Sequence, residues 1–488
     1  MWNWLVTVLV LVLVLLCYYQ WKSEYWKRKN IHYEKPQIFV GNLGDVVLGK
    51  KSLSDTYTAI YNKHEDLKYC GIMNFGSPAI LLRDPELIQN IISKEHDKYH
   101  TCCNEENNLA KDKRWKRTKA KISPQLTPLK VKSMFNLLEE IVNKLVKYIN
   151  YHPEADQFGV DPKELTVKYA SDIIGTCILG LESNNNDQLG LEIFDYNSFC
   201  IILNVISLLF PGLYKIKPPK TLSERLTANF KERIISAIKS REENNIKKHD
   251  FLGAIVELKI LAKNFDFSVE DLAFKTLGFF LEGFETSVIT LQHVLYELAL
   301  NKNIQEKLLG QFEVMLLRNA TLTYESLKEV RYLDMVIYET LRKHPPAPFL
   351  AKECDDLILP PSKPGSIELE VPKGTKILIP IISLHNDPFY FEEPDKFIPE
   401  RFNEDLNYLR CKKAFVGFGD GPRFCLGHRF ALTQLKIAVY ALVTNFELEL
   451  GEPIHKTALL EPIRFVYEIK SNSRLKFINR TKNKNYGN

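Results

Sequence analysis

The sequence lacks the paired cysteine spacings that mark disulfide frameworks and structural zinc sites. Its nine cysteines are scattered along 488 residues, and the adjacent Cys102 and Cys103 do not readily enter a disulfide framework. This absence argues against a small secreted fold held by disulfides and favours a reducing compartment. A cysteine with a chemical role must therefore be recognised from its neighbours.

Linkers, repeats and a strong net charge are also missing. No Gly/Ser-rich or Pro-rich stretch interrupts the interior and no repeat of fixed period occurs, which argues against a string of small modules. Because 45% of the residues are hydrophobic, the chain can bury a large core, and we predict one catalytic domain over residues 41–488. The net charge is only +5, and no recognition motif accompanies it, so we expect no nucleic-acid partner.

An apolar run of leucine and valine occupies residues 4–19. Aromatic residues flank this run, no charged residue precedes it and several basic residues follow it, which predicts a cytosolic location for the rest of the chain. We predict a single-pass membrane anchor over residues 1–21, followed by a basic linker and hinge over 22–40. The alternative is a cleaved secretory signal, but no basic segment precedes the run and no small-x-small site ends it.

The remaining pattern is mostly that of amphipathic helices, with a few strands. Residues 126–344 are predicted to be mainly helical, including a long helix over 269–300. Strands are predicted over 79–83 and 376–384, and a helix over 84–94. We therefore expect a mainly α fold with a small β region.

The stretch FGDGPRFCLG at residues 418–427 predicts a tight turn that presents Cys425 at the start of a helix. Its glycines allow the backbone to bend with positive φ and to approach a flat ligand closely. A helix N-terminus and the nearby charge of Arg423 favour the thiolate form, and a buried thiolate favours a metal. Taken alone, however, a lone cysteine is more often a small buried hydrophobic residue.

This stretch resembles the haem-binding signature Phe-x-x-Gly-x-Arg-x-Cys-x-Gly of the cytochrome P-450 superfamily, and all fixed positions match. Further motifs extend the resemblance over essentially the whole chain. The sequence around these motifs is similar to that of microsomal members of the insect xenobiotic-metabolising branch. The resemblance implies a P-450 fold and a haem b whose iron takes the Cys425 thiolate as its axial ligand. The residues that it places at the haem here are Phe418, Gly419, Arg423, Cys425 and Gly427.

Two further motifs concern a charged cluster. Glu339 and Arg342 match the family's Glu-x-x-Arg, whose i,i+3 spacing puts both charges on one helix face. Arg401, in the segment PERF, resembles the arginine that completes this cluster. An isolated pair of this spacing usually lies on a solvated face, but the resemblance implies buried structural support beneath the haem.

Oxygen activation is implied for the stretch EGFETS at residues 282–287. In the resembling family, a threonine at the position of Thr286 hydrogen-bonds dioxygen and relays protons, and the neighbouring acid, here Glu285, helps to supply them. This chemistry requires a local break in the helix, a hydroxyl and a carboxylate. Without Cys425, the same two residues would be interpreted as a solvated pair on a helix.

Glu282 departs from the insect branch, which usually carries alanine or glycine at this position. It lies four residues before Thr286 and therefore shares its helix face. The fatty-acid ω-hydroxylase branch carries glutamate here, where it can form an ester with a haem methyl group, so an ester from Glu282 is one hypothesis. The favoured alternative is a hydrogen-bonded or solvated carboxylate at the pocket edge, and complete extraction of haem by acid acetone would rule the ester out.

Lysines stand where the family has arginines that bind the haem propionates. The family's Trp-x-x-x-Arg appears as Trp115 and Lys119, and the arginine two residues before Cys354 is Lys352. Since lysine keeps the charge but loses bidentate geometry, both should hold the haem less rigidly. The loop over residues 99–115 is also shorter than in related enzymes. Because this loop normally covers the substrate pocket in the resembling family, the sequence does not identify the substrate.

Basic side chains crowd residues 111–121, beside the surface where an acidic flavoprotein docks in the resembling fold. They are Lys111, Lys113, Arg114, Lys116, Arg117, Lys119 and Lys121. A run of this kind is usually only a solvated face. The resemblance implies an NADPH-dependent reductase as partner, with cytochrome b5 as a second donor, and a location in the endoplasmic reticulum membrane.

These features predict a membrane-anchored haem-thiolate monooxygenase that inserts one atom of O2 into a lipophilic substrate with electrons from NADPH. The runner-up is a catalytically impaired haem-thiolate protein that binds or sequesters hydrophobic ligands, an alternative suggested by Glu282, Lys119, Lys352 and the short loop. A cysteine hydrolase that uses Cys425 is a third hypothesis, but it lacks a recognisable histidine partner motif.

Overall fold

The computed structural model describes residues 2–94, 99–101, 119–120, 122–180, 224–261, 268–403, 414–452 and 473–480. Within these residues the protein is mainly helical and has three small sheets, which confirms the predicted fold class. Trp115 and most of the basic run lie outside the described residues.

Helices make up most of the described chain. They are α1 (Trp2–Ser23), α2 (Tyr25–Arg28), α3 (Gly44–Val47), α4 (Leu53–Lys63), α5 (Pro85–Gln89), α6 (Pro128–Ser133), α7 (Phe135–Tyr151), α8 (Pro162–Ile173), α9 (Glu224–Glu243), α10 (Phe251–Leu261), α11 (Val269–Leu300), α12 (Lys302–Asn319), α13 (Tyr324–Glu329), α14 (Arg331–Lys343), α15 (Ile381–His385) and α16 (His428–Asn445). Short 3-10 or π turns cover Asn90–Lys94, Ser123–Leu126, Ile174–Ile178, Pro399–Phe402 and Gly421–Arg423.

The described strands form one larger sheet and two antiparallel pairs. They are β1 (Tyr69–Asn74), β2 (Ser77–Leu82), β3 (Tyr99–Thr101), β4 (Leu350–Cys354), β5 (Leu357–Leu359), β6 (Leu369–Val371), β7 (Lys376–Ile379), β8 (Phe446–Leu450) and β9 (Leu475–Asn479). The larger sheet has the order β1-β2-β7-β4-β3, while β5 pairs with β6 and β8 with β9. β2 and β7 run parallel, with Ala79 opposite Lys376, and the other pairs are antiparallel.

Helix α11 is the central helix of the described fold, and its bounds agree with the predicted 269–300. Its start is fixed by a capping box, in which the Ser268 hydroxyl accepts from the Asp271 amide at 3.0 Å. Residues 287–299 are buried on every face, because α8, α9, α14 and α16 pack around the helix. A helix that is buried on all faces lies in the core of a large protein.

The predicted strand over 376–384 is wrong in its second half. β7 ends at Ile379, and Ile381–His385 is the helix α15. Pro380 lies between the two, and it cannot donate to a sheet ladder and has a restricted φ, so the strand stops there. The predicted helix over 84–94 is α5 followed by a π turn, and Asp84 caps it by accepting from the Leu87 amide at 2.7 Å.

The N-terminal segment contains an apolar helix and is packed against the sheet. Among the described residues, one helix, Trp4–Ser23, is long and apolar enough to cross a membrane, which is consistent with the predicted anchor. Beyond it, Trp26 is completely buried and donates its ring N–H to the carbonyl of Ile72 at 2.8 Å. Part of the segment 22–40 is therefore fixed on strand β1.

Gly71 provides the space for Trp26. A methyl group at Gly71 would place its Cβ 2.7 Å from Trp26 Cγ, whereas a methyl group at Gly310, inside α12, would meet nothing within 4 Å. We expect Gly71→Ala to lower the free energy of unfolding by about 1–3 kcal/mol, because this core cannot accept the added volume. The matched Gly310→Ala is expected to raise it by about 0.5–1 kcal/mol, since alanine favours the helix. Urea unfolding measures both, and equal effects would contradict this account of Gly71.

Candidate active site

The Cys loop, defined as residues 416–427, is a compact turn that precedes helix α16. The amide of Cys425 donates to the carbonyl of Phe418 at 2.9 Å, which closes the loop at its neck. Gly419 and Gly421 have φ values of 73° and 61°, in the left-handed region that glycine tolerates best. The shape of the loop therefore depends on these two glycines.

The Cys loop packs tightly on the π turn Asn90–Lys94. A methyl group at Gly421 would place its Cβ 2.6 Å from Ser93 Cα, so a side chain at this position requires the backbone to move. The Gln89 amide donates to the carboxylate of Asp420, and that carboxylate also accepts from the Gly421 amide at 2.5 Å. Sequence reasoning did not single out Gln89 or Asp420, because no local pattern pairs two residues so far apart in the chain.

Cys425 lies just before the helix and not at its first residue. The N-cap of α16 is Gly427, and the first intrahelical bond runs from the Ala431 amide to the Gly427 carbonyl at 2.8 Å. Gly427 itself has a non-helical ψ of 3°, which explains why the helix starts later than predicted. Cys425 is half-buried, and a Cβ at Gly427 would meet nothing within 4 Å, so this side of the loop is open.

Two cations lie at the Cys loop. The ammonium of Lys119 donates to the carbonyl of Pro422 at 2.5 Å, immediately before Arg423 in the chain. Burial, and secondarily the positive charge of Arg423, lower the pKa of Lys119. The structure therefore brings Lys119 and Arg423 together beside the turn that carries Cys425.

Lys352 is a buried lysine in strand β4. It is 7% exposed, and it lies between Thr101 of β3 and Ile377 of β7 in the larger sheet. A lysine is rarely buried to this extent in the absence of a compensating group. Its burial excludes a solvated side chain at this position.

Glu339 and Arg342 form a completely buried ion pair in α14. Arg342 donates from Nε and Nη2 to the two carboxylate oxygens of Glu339 at 2.8 and 2.9 Å, and both side chains are 0% exposed. Arg401 joins them through a bond from its Nε to Glu339 at 3.3 Å. The structure thus brings together the three charged residues that the resemblance grouped.

Backbone carbonyls and the Asn386 side chain accept further hydrogen bonds from Arg342. Its guanidinium donates to the carbonyls of His385 at 3.0 Å and Pro394 at 2.8 Å. The Ile398 amide in turn donates to Glu339 at 2.9 Å. Since a buried charge is costly unless it is paired and hydrogen-bonded, the cluster holds α14, α15 and the segment before Pro399–Phe402 in one arrangement.

Thr286 is exposed, and it directly precedes the completely buried part of helix α11. Phe284 and Ser287 on either side are buried, Glu285 is half-buried, and every residue from 287 to 299 is buried. An exposed position in such a helix means that α11 borders an open space there. The side chain of Glu282 lies outside the described residues, so its placement stays a prediction.

The predicted break in this helix is wrong. α11 is continuous from Val269 to Leu300, and Gly283 lies inside it. The Ser287 hydroxyl donates to the Gly283 carbonyl at 2.6 Å, and the Thr290 hydroxyl donates to the Thr286 carbonyl at 2.7 Å. The Gly283 and Thr286 carbonyls thus accept from these hydroxyl groups within a continuous helix. The backbone hydrogen bonds of the helix need not be interrupted for this.

Together these residues fit a haem group. A cysteine on a glycine-rich turn with an open side suits an iron ligand, and the cations of Lys119 and Arg423 suit the carboxylates of the macrocycle. Thr286 faces open space on α11, and α11 packs against α16, the helix that the Cys loop precedes. Thr286 and the Cys loop thus lie on, or directly before, two helices that are in contact.

Comparison with known proteins gives the same picture. The family model described as Cytochrome P450 matches residues 32–472 of the chain. This range includes the Cys loop, the Glu339 and Arg342 pair, and Thr286.

Three insect proteins are similar to the chain over nearly its whole length. Cytochrome P450 6j1 of Blattella germanica is 30% identical over 484 residues, covering 94% of this chain and 95% of the relative. Cytochrome P450 6k1 of the same organism is 31% identical, covering 91% of each. Probable cytochrome P450 6a20 of Drosophila melanogaster is 29% identical, covering 94% of this chain and 95% of the relative.

Proposed function

The chain belongs to the cytochrome P450 family, and from this premise we propose that it inserts one atom of O2 into a lipophilic small molecule with electrons from NADPH. Family membership makes it a haem-dependent monooxygenase with a thiolate-ligated iron, a redox partner and a lipophilic substrate. The observation that carries the finer proposal is the Cys loop, which presents Cys425 on an open, glycine-shaped turn beside two cations.

We assign the axial thiolate to Cys425. Lys119, Arg423 and Lys352 supply positive charge for the haem propionates, and a haem bound here would supply the redox chemistry that activates O2. The other residues that we assign to the haem are Phe418, Gly419, Gly427, Trp115 and Glu282. For Glu282, both the ester and the simple carboxylate remain as alternatives, which acid-acetone extraction separates.

Thr286 and Glu285 are the proposed catalytic residues. The Thr286 side chain faces the open space, where its Oγ1 holds and passes on a proton, and the half-buried Glu285 beside it supplies protons. Ser287 next to them is buried, and its hydroxyl donates to the Gly283 carbonyl and accepts from Gln434 at 2.6 Å. Glu339, Arg342 and Arg401 support the site structurally.

The rest of the proposal concerns location and partners. Residues 1–21, nearly all of which belong to the apolar helix α1, anchor the chain in the endoplasmic reticulum membrane. The basic linker over 22–40 follows, and the catalytic domain over 41–488 lies in the cytosol. A flavoprotein reductase delivers electrons, with cytochrome b5 as a second donor. The relatives named 6j1, 6k1 and 6a20 come from insects, which supports xenobiotics as a substrate class, with endogenous lipids as the other class.

Turnover separates this proposal from the runner-up, a haem-thiolate protein that only binds hydrophobic ligands. We expect the full chain, reconstituted with a reductase and NADPH, to convert at least one compound of a lipophilic panel to a product that contains one oxygen atom from labelled O2. A lipophilic ligand that shifts the haem spectrum without any labelled product, across the whole panel, would favour the binder.

A further inference from the structure

His385 is a buried imidazole between the charged cluster and the Cys loop. It is the last residue of α15, it is 0% exposed, and its ring stacks on Phe415 with centroids 5.1 Å apart and planes 13° apart. Phe415 directly precedes the first residue of the Cys loop. The ring thus occupies the space between α14 and the chain that enters the loop.

The hydrogen bonds of His385 fix its tautomer. The Val416 amide can only donate, and it donates to Nε2 of His385 at 2.9 Å. Nδ1 must therefore carry the proton, which it donates to the carbonyl of Arg342 at 3.2 Å. Burial, and secondarily the charge of Arg342, lower the pKa of His385 to about 3, so the ring stays neutral.

Arg342 and His385 are linked twice. The ring of His385 donates to the Arg342 carbonyl, and the Arg342 guanidinium donates to the His385 carbonyl at 3.0 Å. Arg342 is itself held by both oxygens of Glu339. The position of the imidazole is therefore determined by the buried ion pair.

The path continues from His385 into the Cys loop. The Val416 amide donates to His385, and the Val416 carbonyl accepts from the Gly419 amide at 2.9 Å. Phe418, between these two residues, then accepts from the Cys425 amide at 2.9 Å. Contiguous hydrogen bonds and two short chain segments thus connect the ion pair to the cysteine.

We propose that His385 is a positioning residue that fixes the entry of the Cys loop at Val416 and thereby holds the Cys425 thiolate at the iron. The proposal rests on the haem-thiolate function proposed above and adds a residue that the sequence motifs do not contain. Its specific element is the bond that His385 accepts from the Val416 amide, because this bond alone joins the imidazole to the loop backbone.

Three substitutions separate that bond from simple space filling. His385→Phe keeps a flat ring against Phe415 but loses both hydrogen bonds. His385→Asn retains a donor near the Nδ1 position but does not reach the Val416 amide. His385→Gln extends further, and its side-chain oxygen can accept from that amide at the Nε2 position.

The experiment uses the full chain and records the difference spectrum of the reduced protein with carbon monoxide, together with the melting temperature. We expect wild type and His385→Gln to show the strongly red-shifted Soret band of thiolate ligation. In His385→Phe and His385→Asn, the ratio of haem without thiolate ligation to haem with it is expected to rise about tenfold or more, since both variants lose the buried bond to the Val416 amide. If the phenylalanine variant does not fold, the contrast between asparagine and glutamine decides.

His293 is the matched control, because it is also 0% exposed and stacked, with its ring 4.2 Å from that of His344. His293→Phe is expected to change the melting temperature but not the ligation ratio. The proposal is overturned if His385→Phe and His385→Asn keep the wild-type spectrum, or if His385→Gln loses it as they do. A wild-type protein without the red-shifted band would instead refute the haem-thiolate function itself.

Discussion

Replacing Glu339 with glutamine is expected to lower the free energy of unfolding by about 3–5 kcal/mol and to leave most of the purified protein without haem. The Arg342 guanidinium is 0% exposed and donates to both oxygens of Glu339, so the variant leaves a buried charge without its counter-ion. Arg401 also loses its contact with a carboxylate. Urea unfolding and the ratio of haem to protein measure the two effects.

The chain offers a matched control for this ion pair. Glu393 and Lys396 have the same i,i+3 spacing and a separation of 2.6 Å, but their side chains are 55% and 64% exposed. Glu393→Gln is expected to cost less than about 0.5 kcal/mol, because water solvates the remaining charge. Similar losses in the two variants would mean that burial of the Glu339 pair does not determine its contribution.

Replacing Thr286 with alanine is expected to reduce the product formed per NADPH consumed by about 100-fold, with NADPH consumption largely retained. Thr286 is the exposed hydroxyl on α11 at the open space, and Glu285 is its nearest carboxylate in the chain. Without that hydroxyl, protons reach the oxygen by unspecific routes, and reduced oxygen is released as peroxide. Parallel assays of NADPH, peroxide and product measure this coupling.

Two variants test the specificity of this effect. Thr286→Ser retains the hydroxyl and should restore most of the coupling. Thr290→Ala removes a hydroxyl one turn further along the same helix, where it donates to the Thr286 carbonyl, and it should leave coupling near the wild-type value. Equal coupling in Thr286→Ala and wild type would remove Thr286 from the proposed proton path.

Features that depend on local chemistry could be predicted from the sequence. The bounds of α11 follow from the Ser268 cap and a long apolar pattern, and both are local signals. The residues of the Cys loop were found because glycines, an arginine and a cysteine occur at fixed spacing. For the charged cluster, the i,i+3 spacing places Glu339 and Arg342 on one helix face, but only the family resemblance implies their burial and the addition of Arg401.

Features that depend on tertiary contacts could not be predicted. The role proposed for His385 arises from one carbonyl in α14 and one amide before the Cys loop, and no spacing rule connects these positions. The pairing of Gln89 with Asp420 is missed for the same reason. The predicted strand over 376–384 is wrong for a local reason, because Pro380 cannot continue a strand and β7 therefore ends at Ile379.

The difference spectrum of the dithionite-reduced protein, with and without carbon monoxide and beside a Cys425→Ala variant, tests the central claim most directly. Thiolate ligation by Cys425 predicts a strongly red-shifted Soret band in the wild type that disappears in the variant. A red-shifted band that persists in Cys425→Ala would assign the ligand to another residue. A wild-type protein without bound haem would contradict the claim altogether.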